Sequence, residues 1–234
     1  MRVMDSELQK KIRFFFEQNT CKLEVIPEHL ASTELCDFDH PILKGLHQKL
    51  TANLIEPEKI ANRLYDFIRE KILYEFDAWA VTASETILKN TGMCFNKSNL
   101  MIALLRLSQI PCVFSLFWIG KNGFRFTADA AMFDKIQNRT VHAYVEAYLG
   151  EQIGWRRYVD TSLDAKLRRV LIKQGYEPFQ NILTDFPIER FASAEEVIAW
   201  RKRYKQSIGA EEMSVTQADM KSSNERLNKL RTSH

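Results

Sequence analysis

GMCFNKSNLMIALLRLSQIPCVFSLFWIG, residues 92–120, holds the pattern that decides the fold. Gly92 breaks what precedes it, two residues before Cys94. Leu100, Met101, Leu104, Leu105 and Leu107 then make a strongly apolar helix from Cys94 to Ser108. Pro111 ends that helix. Cys112 to Ile119 is β-branched and aromatic, and reads as a buried strand. A cysteine thus opens the most apolar helix of the chain, and a strand follows it.

Downstream, Gly120-Lys121-Asn122-Gly123 reads as a turn, with Phe124 to Thr127 as the returning strand. Val141 to Leu149 alternates: Val141, Ala143, Val145, Ala147 and Leu149 point one way, and His142, Tyr144, Glu146 and Tyr148 the other. Trp155 to Asp160 reads as a further strand. Ser193-Ala194-Glu195-Glu196 is a capping box that opens a helix to about Tyr204. Upstream, residues 1–20 fit an amphipathic helix and 21–40 are irregular. Pro41 and Pro57 each start a helix, the second with Ile60, Ala61, Leu64, Tyr65, Ile68 and Ile72 on one face. Ala83 to Leu88 fits a short helix. The expected class is α+β: N-terminal helices and the cysteine helix packed on an antiparallel sheet. One domain covers 1–204, with a helical lead-in to about 90, a core over about 91–165 and C-terminal helices over 166–204. Residues 205–234 are polar, and read as a mobile terminus or a loosely attached helix.

Composition narrows the function. Of 234 residues, 45% are hydrophobic, which excludes a disordered chain. Lys and Arg number 33 against 30 Asp and Glu, so no basic excess points to nucleic acid. Cys21, Cys36, Cys94 and Cys112 form no CxxC pair and no zinc spacing. A Cys94, Cys112, His142 and Asp160 metal set matches no common ligand motif. Met1 to Lys11 does not read as a signal peptide, and the Phe14-Phe15-Phe16 cluster is far too short for a membrane span, so the expected setting is cytoplasmic with reduced thiols. GxGxxG, P-loop and GxSxG motifs are absent.

Three residues offer one chemistry. The partial positive charge and open N–H groups of a helix N-terminus favour a thiolate at Cys94 and a developing oxyanion beside it. The same position also suits a small core cysteine. His142, on the polar face of its strand, can take a thiol proton or simply sit hydrogen-bonded at the surface. A three-residue loop at 150–152 pairs Leu149 with Ile153 and sets Asp160 opposite His142. A four-residue loop moves the partner by one step. Cross-strand neighbours lie about 4.5–5.5 Å apart at Cβ, so Asp160 is a candidate to orient the His142 ring, or else it caps the turn at Thr161 to Asp164.

These residues together resemble the transglutaminase-like superfamily. The resemblance rests on Gly92-Met93-Cys94, Leu104-Leu105-Arg106, Gln109-Ile110-Pro111, the run His142 to Tyr148, Trp155 to Asp160, and a lead-in at Phe67 to Tyr74, about residues 40–165 in all. It implies a papain-like fold with Cys94 as nucleophile, His142 as base and then acid, and Asp160 as orienting carboxylate. It implies a second oxyanion donor upstream of the cysteine, for which Tyr74 and Trp79 are the nearest candidates. Glu146 shares a face with His142, and either tunes the site, binds an amine substrate or is a solvated surface residue. The chain departs from the family at the junction, with Gln109-Ile110-Pro111-Cys112-Val113 where Gly-Ile-Pro-Ala-Arg is common. It lacks the length for the β-sandwich domains of calcium-dependent transglutaminases and has no acidic calcium loop. It looks more like compact microbial members, which include proteases, amide hydrolases and acyltransferases. The implied activity is acyl transfer from an amide, a peptide or a carrier-bound thioester, with no cofactor, no nucleic acid and no membrane. A non-catalytic binding or scaffold domain is the alternative.

Overall fold

The computed structural model describes residues 6–207 and 215–232. Helix α1 spans Ser6–Gln18, α2 Pro41–Thr51 and α3 Pro57–Lys71. Strand β1 (Leu73–Tyr74), helix α4 (Ala83–Lys89) and strand β2 (Thr91–Gly92) lead to helix α5, Cys94–Leu107. Strand β3 (Cys112–Gly120), helix α6 (Ala130–Lys135), and strands β4 (Arg139–Tyr148) and β5 (Trp155–Tyr158) follow. The chain continues through α7 (Ala165–Lys173), β6 (Glu189–Phe191), α8 (Ala194–Ser207) and α9 (Gln217–Thr232). Among the described residues, the main sheet is antiparallel in the order β5-β4-β3-β6, and β1 pairs with β2 in parallel.

Helix α5 is buried from Phe95 to Arg106, as its all-round apolar character requires. It packs on the sheet face formed by Phe114, Leu116, Ala143, Val145 and Ala147, in one core with Leu64 and Ile68 of α3. Burying each of the larger side chains here, Phe114, Leu116, Val145, Leu64 and Ile68, contributes about 1.5–3 kcal/mol. Helix α1 covers the opposite face. Its Phe16 ring meets Phe117 and Tyr144 edge-on, at 6.0 and 6.4 Å between centroids. Gly92 is required where β2 turns into α5: a Cβ there would lie 2.9 Å from the Asn96 Cβ.

Two sequence expectations change. The strand returning from β3 is β4, not Phe124 to Thr127. Lys121–Phe124 is a 3-10 helix, and Phe124 and Phe126 pack into a second core instead of pairing along a sheet edge. The polar segment after residue 204 includes α9, which is docked. Leu227 is fully buried with Leu163, Leu167 and Leu171, and the Arg231 guanidinium bonds the Asp164 carboxylate at 2.7 Å. Polar contacts do much of the holding: Asn224 bonds Phe76 N and O, Lys135 pairs with Asp219 at 2.7 Å, and Arg226 donates to the Phe126 carbonyl at 2.8 Å, so no strong apolar stripe marks α9 in the sequence.

Candidate active site

Cys94 is the first residue of α5, partly exposed, whereas Cys21, Cys36 and Cys112 are buried. The N-cap residue, Met93, offers no side-chain hydrogen bond to the first-turn N–H groups. Burial raises the Cys94 thiol above its ordinary pKa, and the N–H groups of Ala143, Phe95 and Cys94 itself work against that rise by favouring the thiolate. Those donors come from two elements, the first turn of α5 and strand β4. They surround the sulfur with the kind of dipoles that stabilise a developing negative charge. Asn96 fixes the turn: its Oδ1 accepts from Met93 N at 3.1 Å and its Nδ2 donates to the Ala78 carbonyl at 2.9 Å.

His142 lies in the middle of the sheet, opposite Phe117 in the β3–β4 register. Its ring lies 4.9 Å from that of Phe117 and lines a cavity of about 80 Å³ together with Cys94. Burial lowers its pKa from 6.5 to about 4, partly offset by a hydrogen bond to Val159. Nε2 lies 3.2 Å from the Val159 carbonyl oxygen, which can only accept. The hydrogen therefore sits on Nε2, and Nδ1 keeps its lone pair. No hydrogen bond joins Cys94 and His142.

Asp160 also lines this cavity but does not meet His142. The β4–β5 loop has four residues: Leu149 N donates to Gly154 O at 3.0 Å, and Tyr148 pairs with Trp155. The ladder ends at Val145 and Tyr158, so β5 has left the sheet before it reaches Asp160. The Asp160 carboxylate is instead paired with Arg168, and with Arg69 at 3.8 Å, while its amide donates to the Tyr65 hydroxyl at 3.2 Å. The expected hydrogen bond from His142 goes to the neighbouring main chain.

Tyr74 and Trp79 both border Cys94, in a second cavity of about 320 Å³. The Tyr74 hydroxyl is held far above its ordinary pKa by burial, so it is a donor at any working pH. Trp79 packs on Phe95 at 4.7 Å and carries the Arg201 guanidinium at 4.4 Å on its ring. Glu146 is neither solvated nor at the site. It is fully buried and bound by Arg157 Nε at 3.0 Å, Arg190 Nε at 2.6 Å and Ser115 Oγ at 3.0 Å. Arg157 and Arg190 also donate to main-chain carbonyls of Phe16 and Asn19, so this cluster docks the region of α1.

Sequence reasoning missed Lys97, one turn below Cys94. It is fully buried, and its Nζ donates to Ile72 O at 2.7 Å and Ser162 O at 2.8 Å. Burial pushes its pKa down to about 7, against the pull of Asp164. Its signal was a lone lysine in a helix otherwise buried all round. Asp164 and Arg231 complete a polar layer beneath the site. Asp164 caps α7 through Leu167 N at 2.9 Å and accepts from Tyr74 N at 3.0 Å. Among the described residues, no three of His, Cys, Asp and Glu come together as metal ligands, and no helix is long and apolar enough to cross a membrane.

Residues 44–159 match the family model of the transglutaminase-like superfamily. The match includes Cys94, His142 and Val159 and ends one residue before Asp160. No curated protein matches the chain. Among solved structures, it is similar to a candidate cysteine protease from Cytophaga hutchinsonii, with 19% identity and a TM-score of 0.45. That alignment covers 76% of this chain and 57% of the other. A candidate protease from Parabacteroides distasonis aligns at 14% identity and a TM-score of 0.34, over 56% of this chain and 26% of that one. The chain therefore spans less than two thirds of either.

Proposed function

The chain belongs to the transglutaminase-like superfamily through residues 44–159, and from that membership we propose that it transfers acyl groups through a covalent intermediate on Cys94. The observation that carries this reading is the shared cavity of Cys94 and His142, with main-chain N–H groups on the sulfur and a ring whose Nδ1 is the basic atom.

Both resting groups are neutral, since burial raises the thiol and lowers the imidazole. Nδ1 of His142 takes the thiol proton as the sulfur bonds to the substrate carbonyl carbon. The Val159 carbonyl holds Nε2–H through this step and stabilises the imidazolium that forms. N–H groups of the α5 first turn stabilise the oxyanion. The imidazolium then gives its proton to the departing amine or thiol as the bond from carbon to that group breaks. Water or an amine attacks the thioester, His142 removes its proton, and the carbon–sulfur bond breaks to restore the thiol. Asp160 acts at one remove: its ion pairs with Arg69 and Arg168 fix the backbone whose Val159 carbonyl reaches the ring.

Incubation with a panel of thioester, glutamine and peptide substrates tests this reading by intact mass. An acyl adduct on Cys94 that Cys94→Ala abolishes is the expected result. The absence of any hydrogen bond between Cys94 and His142 favours a second reading, a non-catalytic binding domain of the same family. Cys94 no more reactive to iodoacetamide than the buried Cys21 or Cys36 would select that second reading.

A further inference from the structure

Cys94 borders two cavities. One, about 80 Å³, holds His142, Asp160 and Glu177 among walls that include Phe117, Leu163 and Phe179. The other, about 320 Å³, also borders Cys94 but not His142 or Asp160, and is lined by Trp79, Phe76, Met93, Met132 and Ile136 together with the charged Asp77, Arg201 and Lys205. Tyr74, Cys94, Phe124 and Val141 border both.

Resting on the acyl-transfer reading, we infer that the larger cavity is the acyl subsite, and that it takes a bulky apolar acyl group, aromatic or of medium chain length. The direction follows from proton delivery. His142 must reach the leaving group, so that group lies on the His142 side of the sulfur. The acyl remainder then extends into the cavity that borders Cys94 but not His142. Its size fits: an apolar cavity of about 150 Å³ holds a benzene ring, and this one is about twice as large. Its walls suit the same chemistry. Trp79 and Phe76 offer flat apolar faces, and Met93 and Met132 adjust around uneven shapes. Arg201 closes over the Trp79 ring at 4.4 Å. The smaller cavity holds little beyond a compact leaving group, so the substrate is asymmetric about its carbonyl.

The test uses acetyl, 3-phenylpropionyl and octanoyl thioesters of N-acetylcysteamine with the full chain, reading the rate of acylation at Cys94 by intact mass. Apolar pockets discriminate by about tenfold or more per methylene, so the two bulky thioesters should acylate at least tenfold faster than the acetyl compound. One variant, Thr140→Phe on β4, fills the large cavity at its wall. It should erase the preference and leave acetyl transfer within about twofold of the parent protein. Acetyl acylation as fast as the bulky thioesters would overturn the acyl subsite while leaving acyl transfer intact. No acylation by any thioester, with Cys94 still open to iodoacetamide, would overturn the acyl-transfer reading and this inference with it.

Discussion

The Nε2 of His142 lies 3.2 Å from the carbonyl oxygen of Val159, so the main chain and not the neighbouring carboxylate of Asp160 holds the imidazole. A carbonyl oxygen only accepts and carries no net charge. It sets the tautomer of the ring without making the ring strongly basic.

This arrangement separates two variants that a standard triad would make equivalent. His142→Gln removes the proposed base, and its kcat/KM should fall by about 10²–10⁴-fold. Asp160→Asn keeps the Val159 carbonyl in place and should stay within about tenfold of the parent protein. Steady-state kinetics with one reactive thioester decide the point. An Asp160→Asn loss as deep as that of His142→Gln would put the carboxylate on the ring during turnover.

Acid behaviour follows from the same ring. Its folded pKa is lowered from 6.5 to about 4, so the unfolded chain binds this proton first as pH falls. The contribution of His142 to stability is present above pH 6.5 and is lost on acidification toward pH 4. The acid limb of kcat/KM should lie near pH 4, not near 6.5. A pH–rate profile gives the limb, and urea melts between pH 4 and 8 give the stability slope, which His142→Gln should flatten.

Thiol reactivity should rank by access. Cys94 is partly exposed, and burial holds Cys36 up to about 12 and Cys21 and Cys112 to about 11. Iodoacetamide should modify Cys94 first. Because the Cys94 thiol is also raised, its alkylation rate should still climb above pH 9. A plateau below pH 8 would reveal a preformed thiolate and imidazolium pair instead. Peptide mapping of alkylated protein across pH 6–10 reads both.

Lys97 clamps the two halves of the site, since one ammonium on α5 holds the carbonyls of Ile72 and Ser162. Lys97→Met keeps the volume but leaves both acceptors without that donor. Unsatisfied buried groups cost about 1–3 kcal/mol each, so its denaturant midpoint should fall. Acylation of Cys94 should also slow at temperatures where the variant is folded, because Ser162 lies on the segment that carries Val159. Unchanged acylation in a folded variant would limit Lys97 to stability.

Arg231 tests the docking of α9. Its guanidinium and the Asp164 carboxylate are 5% and 1% exposed. Removing one partner of such a pair costs about 3–5 kcal/mol. Arg231→Met should lower the thermal midpoint and loosen Tyr74, whose carbonyl accepts from Arg231 at 2.6 Å. Amide exchange at Tyr74 and across α9 would show the loosening directly.

Local signals made much of this readable in advance. Periodicity marked α3 and α5, alternation marked β4, and Gly92 and Pro111 marked the ends of the decisive helix. Short pieces escaped: β1 and β2 have two residues each and β6 three, too few for a period to register. The strand expected at Phe124 to Thr127 failed for a related reason, because apolar residues at a turn suit a second core as well as a sheet edge.

The sequence by itself determined the helix opened by Cys94, the strand that carries His142 and the family those motifs belong to. These depend on spacing along the chain, and spacing is local. Only the tertiary structure decided what each polar group faces. The four-residue turn after Leu149 and the departure of β5 from the sheet at Tyr158 carried Asp160 to Arg69 and Arg168, and brought Val159 to the ring. Burial turned Glu146 into an anchor for α1, and it drew Lys97, Asp164 and Arg231 under the site. A partner for a buried charge is chosen by the whole fold, because desolvation leaves it no water to fall back on.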